Sequence, residues 1–100
     1  MKTLEKRVVI TGLGVISPVG IGKDAFWKAL LNGESGIGPI THFDAAEYTT
    51  RIAGEVKDFD PADFGIDRKE ARHMDPSTQY SVAAAKLALD DRNQLRRRRP

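Results

Sequence analysis

Lys69, Arg72 and His73 stand at i, i+3 and i+4 in the segment DRKEARHMD. On a helix that spacing brings them to one face, with Arg68 as a neighbour. Lys69 and Arg72 are permanent cations, and the imidazole adds charge only below neutral pH. Such a face attracts an acidic partner and raises the rate of encounter more than the affinity. The same residues also suit a plainly solvated helix surface, with neighbours such as Arg68 and Glu70 offsetting one another. Residue type and spacing leave both open.

Gly12-Leu13-Gly14 follows the apolar run Val8-Val9-Ile10, which is how a dinucleotide-binding loop begins. That loop needs a third glycine for helix–strand packing, and Ser17-Pro18 stands in its place. The next helix opens no earlier than residue 23, too late for its N-terminus to face a phosphate at the glycines. No GxxxxGK[ST] loop is present. The glycines are therefore expected to bend the chain sharply out of a buried strand, with Pro18 stiffening the turn. Other chemistry is excluded on composition. The chain has no cysteine, which removes disulfides, thiolate metal sites and thiolate nucleophiles. His42 and His73 lack the spacing of paired metal ligands. Ser17 has no elbow sequence to activate it. Asp58, Asp60 and Asp63 lack the glycine and terminal glutamate of a calcium loop and suit a solvated turn around Pro61. No metal and no cofactor is expected. Phe26 and Trp27 are expected in the core.

The elements that must position these residues follow from periodicity. Arg7–Thr11 predicts a strand buried on both faces, as at the centre of a parallel sheet. Residues 12–22 predict a loop. Asp24–Leu31 predicts a helix with Phe26, Trp27, Leu30 and Leu31 on one broad apolar face, closed by Gly33 in a left-handed conformation. Residues 36–40 predict loop, and Arg51–Val56 a strand with Ile52, Gly54 and Val56 on one side. Asp67 and Glu70 form a capping box for a short helix to about Met74. Asp75-Pro76 opens another, in which Tyr80, Ala83, Ala84, Leu87 and Ala88 repeat at helical spacing. Its alanines suit close packing against a sheet or a helix. Asp90 and Asp91 oppose the macrodipole near its expected end. The order strand, helix, strand, helix predicts an α/β class. Two strands make no stable sheet, so these residues are expected to be part of a larger domain.

One hundred residues allow at most one small domain. A 40% hydrophobic and 30% charged composition is that of an ordinary globular chain. No apolar run approaches the ~18 residues that cross a bilayer, and the apolar part of MKTLEKRVVI is too short for a signal peptide. A cytoplasmic setting is expected, with no membrane partner. The net charge of +2 rests on Arg96–Arg99; without them the balance is 12 basic against 14 acidic groups, or −2.

Four stretches, VVITGLGVISPVG, FWKALLNGESGIGPITHFDA, RIAGEVKDFDP and DRKEARHMDPSTQYSVAAAKLALDD, resemble in order and spacing the N-terminal end of the β-ketoacyl-acyl carrier protein synthases, most closely the elongating type II enzymes. The resemblance covers residues 6–91. It implies an α/β protein: an incomplete N-terminal portion of a thiolase-like fold layered α/β/α/β/α. It implies a cytoplasmic or plastid homodimer without metal or organic cofactor. In that family a cysteine takes the acyl group from acyl carrier protein. Two histidines help decarboxylate malonyl-carrier protein, and the carbanion attacks the thioester to extend the chain by two carbons. None of that trio falls on a position here, since the family's cysteine lies past residue 100 and His42 and His73 match neither histidine. Catalytic residues are therefore none, and the polypeptide alone is expected to be inactive. The resemblance gives Lys69 and Arg72, with Arg68 beside them, the place of cations that dock the carrier protein. His73 stands where a lysine or arginine is common. A non-catalytic carrier-binding piece, or a fragment of a polyketide partner subunit that naturally lacks the cysteine, is the alternative.

After Asp91 the resemblance stops, giving a partial synthase domain over residues 1–91 and a divergent basic tail over 92–100. A shifted reading frame, a truncated gene or an engineered end would each explain RNQLRRRRP. Four arginines would support salt-sensitive binding to nucleic acid, but no aromatic or polar residues interleave to read bases, so no nucleic-acid partner is expected.

Overall fold

The computed structural model describes residues 5–97. Arg98, Arg99 and Pro100 of the basic tail lie outside the described residues, as do residues 1–4. The elements are β1 (Ile16–Ser17), β2 (Gly20–Ile21), α1 (Lys23–Leu31), β3 (Ile37–Pro39), β4 (Ile52–Gly54), a 3-10 helix (Pro61–Phe64), α2 (Arg68–Ala71) and α3 (Pro76–Arg97).

The glycine-rich segment is a tight hairpin and not a plain loop. Ile16 pairs with Ile21 and Ser17 with Gly20, antiparallel, around Pro18-Val19. The Ser17 hydroxyl donates to the Gly20 carbonyl at 2.8 Å and accepts from the Gly20 amide at 3.1 Å. Its task is to close a turn. α1 follows within two residues, and Gly33 sits at φ 70 after its end, as its place in the sequence requires.

β3 is a correction, because residues 36–40 were expected as loop. Ile37, Gly38 and Pro39 pair antiparallel with Gly54, Ala53 and Ile52. So short an edge strand, two of its three residues glycine and proline, carries little strand signal by itself. Pro18 of the first hairpin packs on the second. A Cβ at Gly36 would stand 2.9 Å from the Pro18 carbonyl carbon, and one at Gly54 3.1 Å from Pro18 Cγ. Lys57 Nζ donates to the carbonyls of Pro18, Gly36 and Glu55 at 3.3–3.4 Å, joining the two hairpins.

The expected strand at Arg7–Thr11 is also corrected. These residues are in no ladder, and Val8, Val9 and Ile10 are 94%, 72% and 80% exposed. A strand needs partners for its N–H and C=O groups, and no described segment runs beside it. Both sheets present are antiparallel and two-stranded, so the parallel sheet is not formed within these residues.

α3 organises the remainder. Asp60 caps the 3-10 helix by accepting from the Ala62 amide at 3.0 Å. Phe59 stacks on Phe64 at 5.4 Å and meets Tyr80 edge-on at 4.9 Å. Among the described residues the buried apolar ones are Ile66 and three alanines, Ala29, Ala45 and Ala83. α3 does not end at Asp90-Asp91 but continues to Arg97. The two acids thus lie inside the helix, where the terminal penalty expected of them does not apply.

Candidate functional site

The basic segment is built as its sequence dictates. Asp67, extended at φ −76 and ψ 165, accepts from the Glu70 amide at 2.8 Å and starts α2. The turn continues through the amides of Ala71 and Arg72, which bond four residues back. At His73 and Met74 the bonds shorten to three residues back, to Glu70 and Ala71. Lys69 and Arg72 therefore keep the i, i+3 relation of a helix, while His73 falls in the tightened turn beyond its regular part. Arg68, Lys69, Arg72 and His73 are all exposed. Among the described residues none of the four forms an ion pair, so the suggested offset of Arg68 by Glu70 is not made.

Gln79 of α3, which sequence inspection passed over, holds this segment in place. Its side-chain amide donates to the Ala71 carbonyl at 3.1 Å and to Met74 at 3.2 Å. The Ala71 carbonyl also accepts the Met74 amide, so the Gln79 bonds tie the last turn of this segment to α3. The only sequence signal was a polar residue on the inward side of the strongest helix repeat.

Two further polar clusters are structural. Asp91 of α3 accepts the Leu13 amide on Oδ2 at 3.0 Å and pairs with Lys23 Nζ on Oδ1 at 2.7 Å. Glu55 gathers the end of the second hairpin. Its carboxylate accepts from the Thr41 hydroxyl at 2.9 Å and from the Thr41 and His42 amides at 3.1–3.2 Å, with His42 Nε2 at 3.3 Å. Partial desolvation pushes the Glu55 carboxyl up. The Thr41 hydroxyl, the two amides and the His42 ring outweigh it and hold the group below its ordinary range. His42 is thus committed to a hairpin and stands far along the chain from His73.

The glycines of the first turn face a helix and not a phosphate. A Cβ on Gly12 would run into the Ala88 carbonyl oxygen, and one on Gly14 into that of Ala84. Gly12 and Gly14 lie flat against α3 at its Ala84 and Ala88 step. An open cleft of about 860 Å³ lies alongside, lined by Leu13, Ile21, Lys23, Leu87, Asp91 and Leu95.

Comparison with known proteins decides what these elements belong to. The family model for the β-ketoacyl synthase N-terminal domain matches residues 5–98. The chain belongs to the β-ketoacyl synthase family. Among curated relatives it is 53% identical over 87 residues to a 3-oxoacyl-[acyl-carrier-protein] synthase 2 of Vibrio harveyi, covering 87% of this chain and 21% of the relative. It is 50% identical over 92 residues to the synthase 2 of a Synechocystis species, covering 91% of this chain and 22% of that one. Among solved structures, the ishigamide ketosynthase/chain length factor superposes with a TM-score of 0.76 at 41% identity, over 85% of this chain and 21% of that chain. The chain thus spans about a fifth of the length of the curated relatives it matches. The described residues form a small mixed helix and strand fragment consistent with an incomplete β-ketoacyl synthase domain.

Proposed function

We propose that this sequence is the opening portion of a β-ketoacyl-[acyl carrier protein] synthase of fatty-acid elongation, in a thiolase-like fold layered α/β/α/β/α. The observation that carries it is the match over residues 5–98, joined to 49–53% identity with relatives named 3-oxoacyl-[acyl-carrier-protein] synthase 2. The reaction is a decarboxylative condensation. An enzyme thiolate displaces the carrier thiol from an acyl thioester; a malonyl thioester then loses carbon dioxide. The resulting carbanion attacks the acyl carbonyl, forming a carbon–carbon bond and expelling the enzyme thiolate. These hundred residues contain no cysteine, so the acyl-enzyme cannot form on them.

The part this segment plays is recognition. Arg68, Lys69, Arg72 and His73 form the face that meets acyl carrier protein. Support comes from their shared exposure, the absence of ion pairs to them among the described residues, and the Asp67 and Gln79 bonds that fix the turn. The proposed setting is the cytoplasm, with the complete enzyme a homodimer. Residues 1–91 are proposed as the synthase portion and 92–100 as the divergent tail, although α3 itself runs on to Arg97. A polyketide partner subunit is the second possibility, favoured by the ketosynthase/chain length factor neighbour. The identity of 41% against that neighbour, compared with 53% for the first relative, puts fatty-acid elongation ahead.

The test grafts residues 1–91 in place of the matched segment of the Vibrio harveyi synthase and reverses charge at Lys69→Glu and Arg72→Glu. With carrier-bound substrate, kcat/KM falls about tenfold, mostly through KM, and less at high salt. With an acyl thioester lacking the carrier protein it is unchanged. Equal losses on both substrates would remove the docking role.

A further inference from the structure

The two carbonyls that Gln79 holds bracket Arg72 and His73. One belongs to Ala71 and the other to Met74, at 3.1 and 3.2 Å from the same side-chain nitrogen. Exposure follows the same division: Ala71, Met74 and Gln79 are half-buried, while Arg72 and His73 face water. A side-chain amide carries two N–H groups on one nitrogen, so one planar group fixes the spacing of two backbone carbonyls. Its neutrality matters. A glutamate would set an oxygen against two carbonyl oxygens, and a lysine would donate but add a cation to the patch. Gln79 is itself well seated at the end of the first turn of α3, its backbone amide bonded to the Asp75 carbonyl at 3.0 Å. Its neighbour Tyr80 meets Phe59 edge-on. At the other end of the segment, Asp67 holds the Glu70 amide. The cations thus stand on a backbone pinned at both ends. Without those pins α2, four residues long, is too short to hold itself in water.

We infer that Gln79 is a positioning residue for carrier docking: through Ala71 and Met74 it prearranges the turn that presents Lys69, Arg72 and His73. The inference rests on the docking role proposed above. A prearranged face keeps its partner longer, because less backbone and side-chain freedom is lost on contact. The rate of encounter depends on charge instead. The two contributions therefore separate in kinetics. The cations set the association rate, and Gln79, which has no charge and stands behind them, sets the dissociation rate.

The full 100-residue chain and its variants are passed over immobilised acyl carrier protein of Vibrio harveyi at low salt. Gln79→Met keeps the length and helix preference of the side chain but has no donor. It is expected to raise the dissociation rate about tenfold and to leave the association rate within about twofold of the parent. Helix content by circular dichroism is unchanged, while the amides of Arg72, His73 and Met74 exchange about tenfold faster. Lys69→Gln with Arg72→Gln lowers the association rate about fivefold. Added to that pair, Gln79→Met changes dissociation by less than about twofold, because the face it arranges has lost its cations. An unchanged dissociation rate in Gln79→Met, an equal rise in both backgrounds, or loss of α3 from the circular dichroism would each overturn the inference and leave the docking role standing. No carrier binding by the parent chain, or rates indifferent to Lys69→Gln with Arg72→Gln, would remove the docking role and the inference with it.

Discussion

Asp91 fastens three distant parts of the chain, since it accepts the Leu13 amide and pairs with Lys23 at the start of α1 from within α3. The ion pair is partly solvated, with side-chain exposures of 45% and 24%, so its own contribution is small. The bond from a backbone amide to a carboxylate is the stronger part. Asp91→Ala is expected to cost about 1–2 kcal/mol, read as a lower urea midpoint in the graft. Asp91→Asn, which can still accept from Leu13, should lose less. Glu55 makes a prediction in pH. Its carboxyl is held below the ordinary 4.5, so the folded state favours the charged form. That contribution is complete above 4.5 and disappears as pH falls through the lower folded value. The stability difference between wild type and Glu55→Gln should therefore be widest above pH 4.5 and close on acidification. A difference that grew with acid would reverse the assignment. Neither role was legible beforehand. Asp91 stood out only as an acid near a helix end, and Glu55 did not stand out at all.

At the scale of elements, the packing of the first turn on α3 turns on absent side chains. Gly14→Ala must displace the Ala84 carbonyl or the turn itself, and is expected to destabilise by about 1–3 kcal/mol or more. Gly38→Ala meets nothing within 4 Å and should be close to neutral. Equal effects in thermal unfolding would show that the contact is not made. Helices were the legible elements. The alanine repeat, the Asp67 cap and Gly33 each carry a local physical signal, and α1, α2 and α3 form where those signals lie. The small alanines even pointed to a close neighbour, although it proved to be the glycine turn. Strands were less legible, because pairing depends on a partner elsewhere. β3 formed around glycine and proline, with only Ile37 favouring a strand, because β4 lay opposite, and Val8-Val9-Ile10 stayed unpaired because nothing did. The basic segment was legible in composition and spacing, but the loss of helical register at His73 was not.

For the molecule as a whole, the radius of gyration is 18.0 Å, against about 13 Å for a compact domain of this length. Among the described residues no large side chain is fully buried, while Trp27, Leu30 and Leu31 of α1 face water together with Val8, Val9 and Ile10. These surfaces are those of a core whose other walls come from more polypeptide. On the proposed function, such a segment contributes geometry to the complete synthase. The most direct test measures condensation of an acyl thioester with malonyl-acyl carrier protein by two proteins: the isolated chain, and the Vibrio harveyi synthase carrying residues 1–91 in place of its own. The graft should retain activity within about tenfold of its parent, a barrier change of roughly 1.4 kcal/mol, and the isolated chain should have none. A folded graft without condensation, or acyl transfer by the isolated chain, would contradict the account.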